Sequence, residues 1–125
     1  MSLTLYIFGD ADRVRQRVER ALFSGDLVDL GKFSAALTAA IALIAQQLVE
    51  RLSAVVVMAG GDDLLLTVAA ENFDIGILEQ LAHDFVDETG CTISFGVGTT
   101  VEEAYLHLRR AKACGGGVIS VVPLS

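Results

Sequence analysis

Residues 54–68 read AVVVMAGGDDLLLTV: two short apolar runs, 54–58 and 64–68, joined by Ala59-Gly60-Gly61-Asp62-Asp63. Runs of valine and leucine bounded by glycine and aspartate fit strands, because such side chains pack well on a pleated surface. Paired glycines between them supply the backbone freedom that a tight hairpin needs. The stretch therefore predicts an antiparallel hairpin with two adjacent carboxylates at its turn. A hairpin alone is marginal in water, so the flanking sequence must supply what covers it.

Upstream, Phe33, Leu37, Ile41, Ile44, Leu48 and Leu52 recur at helical spacing and predict one long helix with a continuous apolar stripe. Before it, residues 12–23 carry Val14, Val18 and Leu22 at the same period, with Arg13, Arg15, Arg17, Glu19 and Arg20 between them. Ser24-Gly25-Asp26 breaks that helix. Residues 3–8 form a strand-like run that Gly9-Asp10 ends. Downstream, a third helix over 74–88 turns Ile75, Leu78, Leu81 and Phe85 inward and stops at Gly90. Residues 91–97 read as another strand. Thr100-Val101-Glu102-Glu103 is a capping box opening a fourth helix, with Val101, Ala104, Tyr105, Leu108 and Ala111 inward. Gly115-Gly116-Gly117 closes it, and residues 118–122 make a last strand. The order β-α-α-β-β-α-β-α-β predicts a single α+β domain over residues 1–125, a five-stranded sheet with its helices on one face. Setting the first strand beside the central hairpin gives a ferredoxin-like core.

Composition narrows the function. Hydrophobic residues make up 53% and charged residues 20% of 125, with one proline, which excludes a disordered chain. A net charge of −7 argues against binding duplex nucleic acid, which calls for a basic face. A single nucleotide remains admissible, because divalent cations invert the local field. Only Cys91 and Cys114 are present and the N-terminus does not resemble a signal peptide, so a cytoplasmic chain with free thiols is expected. The apolar run 35–45 is too short to span a bilayer, so no membrane insertion is expected.

Three carboxylates fall at element ends that this topology brings together: Asp10 after the first strand, and Asp62 and Asp63 in the hairpin turn. Clustered carboxylates repel unless a hard cation joins them, and Mg²⁺ prefers such an oxygen set while keeping positions for water and phosphate. Two ions can then serve an in-line displacement at phosphorus. The segment Gly9-Asp10-Ala11-Asp12-Arg13 leads into the first helix, whose free N–H groups can hold phosphate oxygens. Gly9 and Ala11 would keep that approach uncrowded. Lys112 falls in the last turn of the fourth helix, before three glycines, and can reach a phosphate at the sheet edge.

Each feature has a plainer explanation. Glycine and aspartate are favoured in turns for backbone reasons alone. Asp10 could be a helix N-cap, and Asp12 more readily so, with Asp12 a secondary ligand candidate. Lys112 could merely complement a helix dipole. Arg109 and Arg110 read as solvated, His83 and His107 as surface residues, and both cysteines as small apolar fillers.

The Gly60-Gly61-Asp62-Asp63 turn, the strand ending in Asp10, the Thr92-Ile93-Ser94-Phe95-Gly96-Val97 strand and the Ala111-Lys112 helix end together resemble GGDEF-type palm domains. That group includes diguanylate cyclases and the polymerase palm of type III CRISPR effector complexes. The Asp-Asp form and minimal length are most similar to the minimal CRISPR polymerase family, mCpol. The resemblance implies synthesis of a cyclic nucleotide from nucleoside triphosphates, in an anti-phage setting where the product controls a separate effector protein. By motif position it implies that Asp10, Asp62 and Asp63 hold Mg²⁺ or Mn²⁺, two ions per site. It places Gly60, Gly61 and the Gly9, Ala11, Asp12 and Arg13 segment against the nucleotide and Lys112 on the triphosphate. Ser34 stands where GGDEF cyclases place a guanine-reading asparagine, which favours ATP over GTP. A cyclic dinucleotide needs two facing sites, so a homodimer with active sites at its interface is implied. Two other readings stay open: a catalytically silent palm that binds nucleotides as a sensor, and a ferredoxin-like association module with an incidental turn.

Overall fold

The computed structural model describes residues 3–122. Its elements run β1 (Thr4–Ala11), α1 (Val14–Ser24), α2 (Leu27–Leu52), β2 (Val55–Ala59), β3 (Asp63–Ala69), a 3-10 turn (Ala70–Asn72), α3 (Ile75–Thr89), β4 (Ile93–Gly98), α4 (Val101–Ala113) and β5 (Ile119–Val121). This is the α+β order expected from the sequence, and the sheet order is β2-β3-β1-β4-β5. β1 runs antiparallel to both β3 and β4, which makes it the central strand. β5 joins β4 in parallel at one edge, and β2 forms the other edge with every residue exposed.

Alternation along the strands separates two faces. Leu5, Ile7 and Ala11 of β1, Leu64, Leu66 and Val68 of β3, and Ile93, Phe95 and Val97 of β4 all enter one core. The α2 stripe closes that core: Phe33, Leu37, Ile41, Ile44, Leu48 and Leu52 are all buried, as its periodicity predicts. α3 adds Leu78, Leu81 and Phe85. α2 is longer than the 35–45 run suggests: its 26 residues are long and apolar enough to cross a membrane by length and composition. Seven of its eight buried residues join the core cluster.

The helices do not all share one face. α4 lies on the opposite side of the sheet, over β4 and β1, where Tyr105 packs its ring against Phe8 with centroids 6.0 Å apart. Glycine on β4 makes this possible. A Cβ at Gly96 would overlap the Ala104 carbonyl and the Leu108 amide, so the α4 backbone rests directly on the strand. Ala104, Leu108 and Ala111 are the residues of α4 that are buried, whereas Val101 and Tyr105 are half-exposed, contrary to expectation. Ile75 is likewise exposed, and on α1 the buried residue is Ala21 rather than Leu22.

Ends of elements shift in ways that matter for the site. β1 continues through Asp10 and Ala11, and Asp63 opens β3 instead of sitting in the turn. Thr100 caps α4 by accepting from the Glu103 amide at 3.0 Å. The Glu103 carboxylate reaches one residue further back than a capping box requires, to the Thr99 amide at 2.8 Å.

Candidate active site

The register of β1 against β3 places Asp10 directly opposite Asp63. The turn is closed by the Gly60 amide donating to the Asp63 carbonyl at 2.8 Å, and the Ala11 amide ties it to β1 by donating to the Asp62 carbonyl at 2.8 Å. Asp10, Asp62 and Asp63 each bring a carboxylate oxygen within 4.8 Å of the others, all partly buried. Like charges directly opposed across a ladder are destabilising. Burial pushes the Asp10 carboxyl up from its ordinary value, and Asp62 and Asp63 push the same way, while Lys112 opposes them. This oxygen-only set, short of compensating charge, fits a hard divalent cation.

Lys112 approaches from α4, whose close seat on Gly96 sets where its last turn ends. Its ammonium lies 3.0 Å from Asp10 Oδ2 and 2.8 Å from Asp12 Oδ1, and it donates to the Ala11 carbonyl at 3.3 Å. Burial disfavours the charged amine, but the Asp12 and Asp10 carboxylates outweigh that and hold its pKa above the ordinary lysine value. Asp12 is not a helix cap: Arg13 occupies the cap position of α1, in the left-handed region at φ 58° with no side-chain cap bond. Asp12 is 5% exposed and accepts from Thr92 Oγ1 at 2.8 Å, Ser94 Oγ at 2.9 Å and the Gly117 amide at 2.8 Å. Burial alone would raise this carboxyl, yet the bonds from Lys112, Thr92, Gly117 and Ser94 bring it below its ordinary value.

Thr92, Ser94 and Gly117 were not singled out as site residues from the sequence. The signal was present in the two hydroxyls spaced by two in an apolar strand, which put both on one face. Gly116 and Gly117 have φ of +81° and +67°, a conformation L residues rarely adopt, and this bends the chain so that the Gly117 amide points at Asp12.

A cavity of about 380 Å³ opens beside the turn, lined by Val14, Val18, Phe33, Ser34, Gly61 and Asp62 among others. It brings Ser34 of α2 to the same space as Gly61 and Asp62, joining residues far apart in sequence. A smaller polar recess of about 180 Å³ is formed by Asp12, Arg13, Lys112, Gly115 and Gly116. Gly9 and Ala11 turn their side-chain faces away from the Asp10 carboxylate, on the other side of β1. Both point into the core, where a Cβ on Gly9 would come within 2.6 Å of the Phe95 ring. His83 lies exposed near Asp87, as expected of a surface residue, whereas His107 Nδ1 is 2.8 Å from Ser120 Oγ of β5. Cys91 is a buried filler, but Cys114 is exposed.

The family model for mCpol, the minimal CRISPR polymerase domain, matches residues 6–122. The fold is similar to that of a chain in the Csm1-Csm4 cassette in complex with cA3, at 20% identity and a TM-score of 0.74 over 98% of this chain and 21% of that one. The cassette in complex with one ATP gives 21% identity and a TM-score of 0.72, with the same coverage of 98% and 21%. The active GGEEF domain of a diguanylate cyclase from Vibrio cholerae is 13% identical, with a TM-score of 0.58 over 98% of this chain and 84% of that domain. This chain thus spans about a fifth of the length of the cassette chains it matches (21%). No curated protein matches it in sequence.

Proposed function

Because the chain belongs to the minimal CRISPR polymerase domain family, we propose that it is a metal-dependent nucleotidyltransferase that converts ATP into a cyclic oligonucleotide of the cyclic di-AMP type. One observation carries this reading: Asp10, Asp62 and Asp63 converge within 4.8 Å of one another beside a cavity of about 380 Å³. Asp10, Asp62 and Asp63 would hold two Mg²⁺ or Mn²⁺ ions. Such ions, when bound, activate an attacking hydroxyl and stabilise the leaving pyrophosphate.

The chain's own residues do the positioning. The apolar walls of Val14, Val18 and Phe33 accept a flat base, and Ser34 offers one hydroxyl to its edge. The serine, in place of an amide that reads guanine, supports adenine. So does the complex with one ATP in the structurally similar cassette. Lys112 keeps Asp12 as its buried counter-ion and exchanges its contacts with Asp10 and the Ala11 carbonyl for the triphosphate. Gly61, next to Gly60 in the turn, borders the cavity that takes the base, and the Asp12-Arg13 segment borders the recess around Lys112.

Residues 1–125 act in this reading as one palm domain. One palm offers one such site, so a second copy facing it across a two-fold axis supplies the other triphosphate. The product signals in the cytoplasm to a separate effector protein in anti-phage defence. The test is incubation with each nucleoside triphosphate in Mg²⁺ or Mn²⁺, with mass spectrometry of the products. A cyclic adenylate from ATP is expected. Nucleotide binding by calorimetry with no product from any triphosphate would support the silent sensor instead.

A further inference from the structure

α1 separates two cavities. Val14 and Val18 line the one beside the aspartates, while Arg13, Gln16, Arg17 and Arg20 line another of about 310 Å³ on the helix's far side. The opposite wall of this second cavity is the turn between α3 and β4, at Gly90, Cys91 and Thr92. Four of the nine basic residues of a chain with net charge −7 fall between positions 13 and 20. That is a strong local reversal of sign. Positions 16, 17 and 20 share one face of α1, spaced by three and four residues, and Arg13 lies at the cap of that helix and lines the same cavity.

The guanidiniums are held to different degrees. Arg17 is fixed by Asp29, 2.7 Å away, and by the Phe33 ring, whose centroid is 4.8 Å from its Cζ. Arg13 donates to the Gly115 carbonyl at 3.3 Å. The Arg20 guanidinium has no hydrogen-bond or ion-pair partner among the described residues. Asp12 reaches one end of the cavity, but its charge is already taken up by Lys112, Thr92, Ser94 and Gly117. The cavity therefore presents a net positive wall with donors to spare.

We propose that this arginine-lined cavity is a second anion site, across α1 from the cavity beside Asp62 and adjoining the Lys112 recess at Asp12 and Arg13, that holds an oligophosphate. Arg13 caps α1 and the backbone of Arg20 lies about two turns further on, roughly 9 Å beyond the start of the helix at a rise of 1.5 Å per residue. Guanidiniums carried on backbone positions that far apart can each meet a different phosphate of a linked pair or triplet. Planar guanidiniums bind phosphate oxygens in paired hydrogen bonds. The oligophosphate could be free pyrophosphate or the tail of a nucleotide. The inference stands on this cavity alone and does not depend on catalysis at the aspartates.

The test is calorimetric titration of the full chain with phosphate, pyrophosphate and ATP in excess chelator, so that no divalent cation bridges ligand to carboxylates. Pyrophosphate should bind more tightly than phosphate. Arg20→Gln should weaken it about tenfold and Arg13→Gln/Arg20→Gln about a hundredfold, the loss of one and two charge-assisted contacts. Asp63→Asn should leave this affinity unchanged. Pyrophosphate tighter than ATP identifies the free anion as ligand, and ATP tighter identifies the nucleotide tail. Failure of the wild-type chain to bind, equal affinity for phosphate and pyrophosphate, or undiminished binding by the double variant would each overturn the proposal. A chain that shows Arg20-dependent binding yet makes no nucleotide product loses only the catalytic reading, and the converse result loses only this one.

Discussion

At the scale of single residues, the pair Asp12–Lys112 determines how the site is held. Asp12 is 5% exposed, and Lys112 is its one cationic partner among the described residues. Lys112→Gln leaves a buried carboxylate without its counter-ion, so it should cost about 2–3 kcal/mol in urea denaturation. A loss below about 0.5 kcal/mol, typical of an exposed pair, would show that Asp12 needs no cation. The two neighbouring aspartates respond oppositely to acid. The Asp12 carboxyl has a folded pKa below its ordinary value, so its stabilisation is complete above the ordinary carboxylate range. It is lost as pH falls through the depressed value. The folded Asp10 carboxyl holds its proton more tightly, so its contribution is largest below the ordinary carboxylate value and fades as pH rises through the raised one. Metal-free stability should therefore rise slightly as pH falls toward the ordinary carboxylate value, then drop below it. Asp10→Asn should remove the rise and keep the drop, read from denaturation midpoints across pH.

At the scale of elements, the seat of α4 on β4 delivers Lys112 to the aspartates. Gly96→Ala adds a methyl group where the Ala104 carbonyl and Leu108 amide already lie, and backbone cannot swing aside as a side-chain tip does. It should cost about 1–3 kcal/mol and lower nucleotide product yield together with stability. An unchanged melting temperature would contradict the close seating. This element also shows where sequence reading ran out. Helical spacing identified α4 and its Thr100 cap, because both depend on local chemistry. It did not tell which side of the sheet the helix takes, because α4 buries only the small stripe Ala104, Leu108 and Ala111. Val101 and Tyr105 look apolar enough to widen that stripe, yet remain half-exposed. The facing glycines on β4, at alternate positions 96 and 98, were the overlooked sign of close backbone approach.

At the scale of the whole molecule, the order of elements was legible because the Phe33–Leu52 stripe and the central hairpin are long, regular patterns. The convergence of Asp10, Asp62 and Asp63 followed from topology, since a first strand beside the hairpin must bring them to one edge. The anchoring of Asp12 did not follow, because its partners come from β4 and the glycine turn, 80 to 105 residues away. The central claim is that these aspartates form a metal-dependent catalytic centre for ATP. It is tested most directly by mass spectrometric measurement of product from ATP in Mg²⁺, comparing the wild-type chain with folded Asp63→Asn. We expect a cyclic adenylate from the wild type and about a hundredfold less or none from the variant. No product from the wild type, or equal product from both, would contradict it.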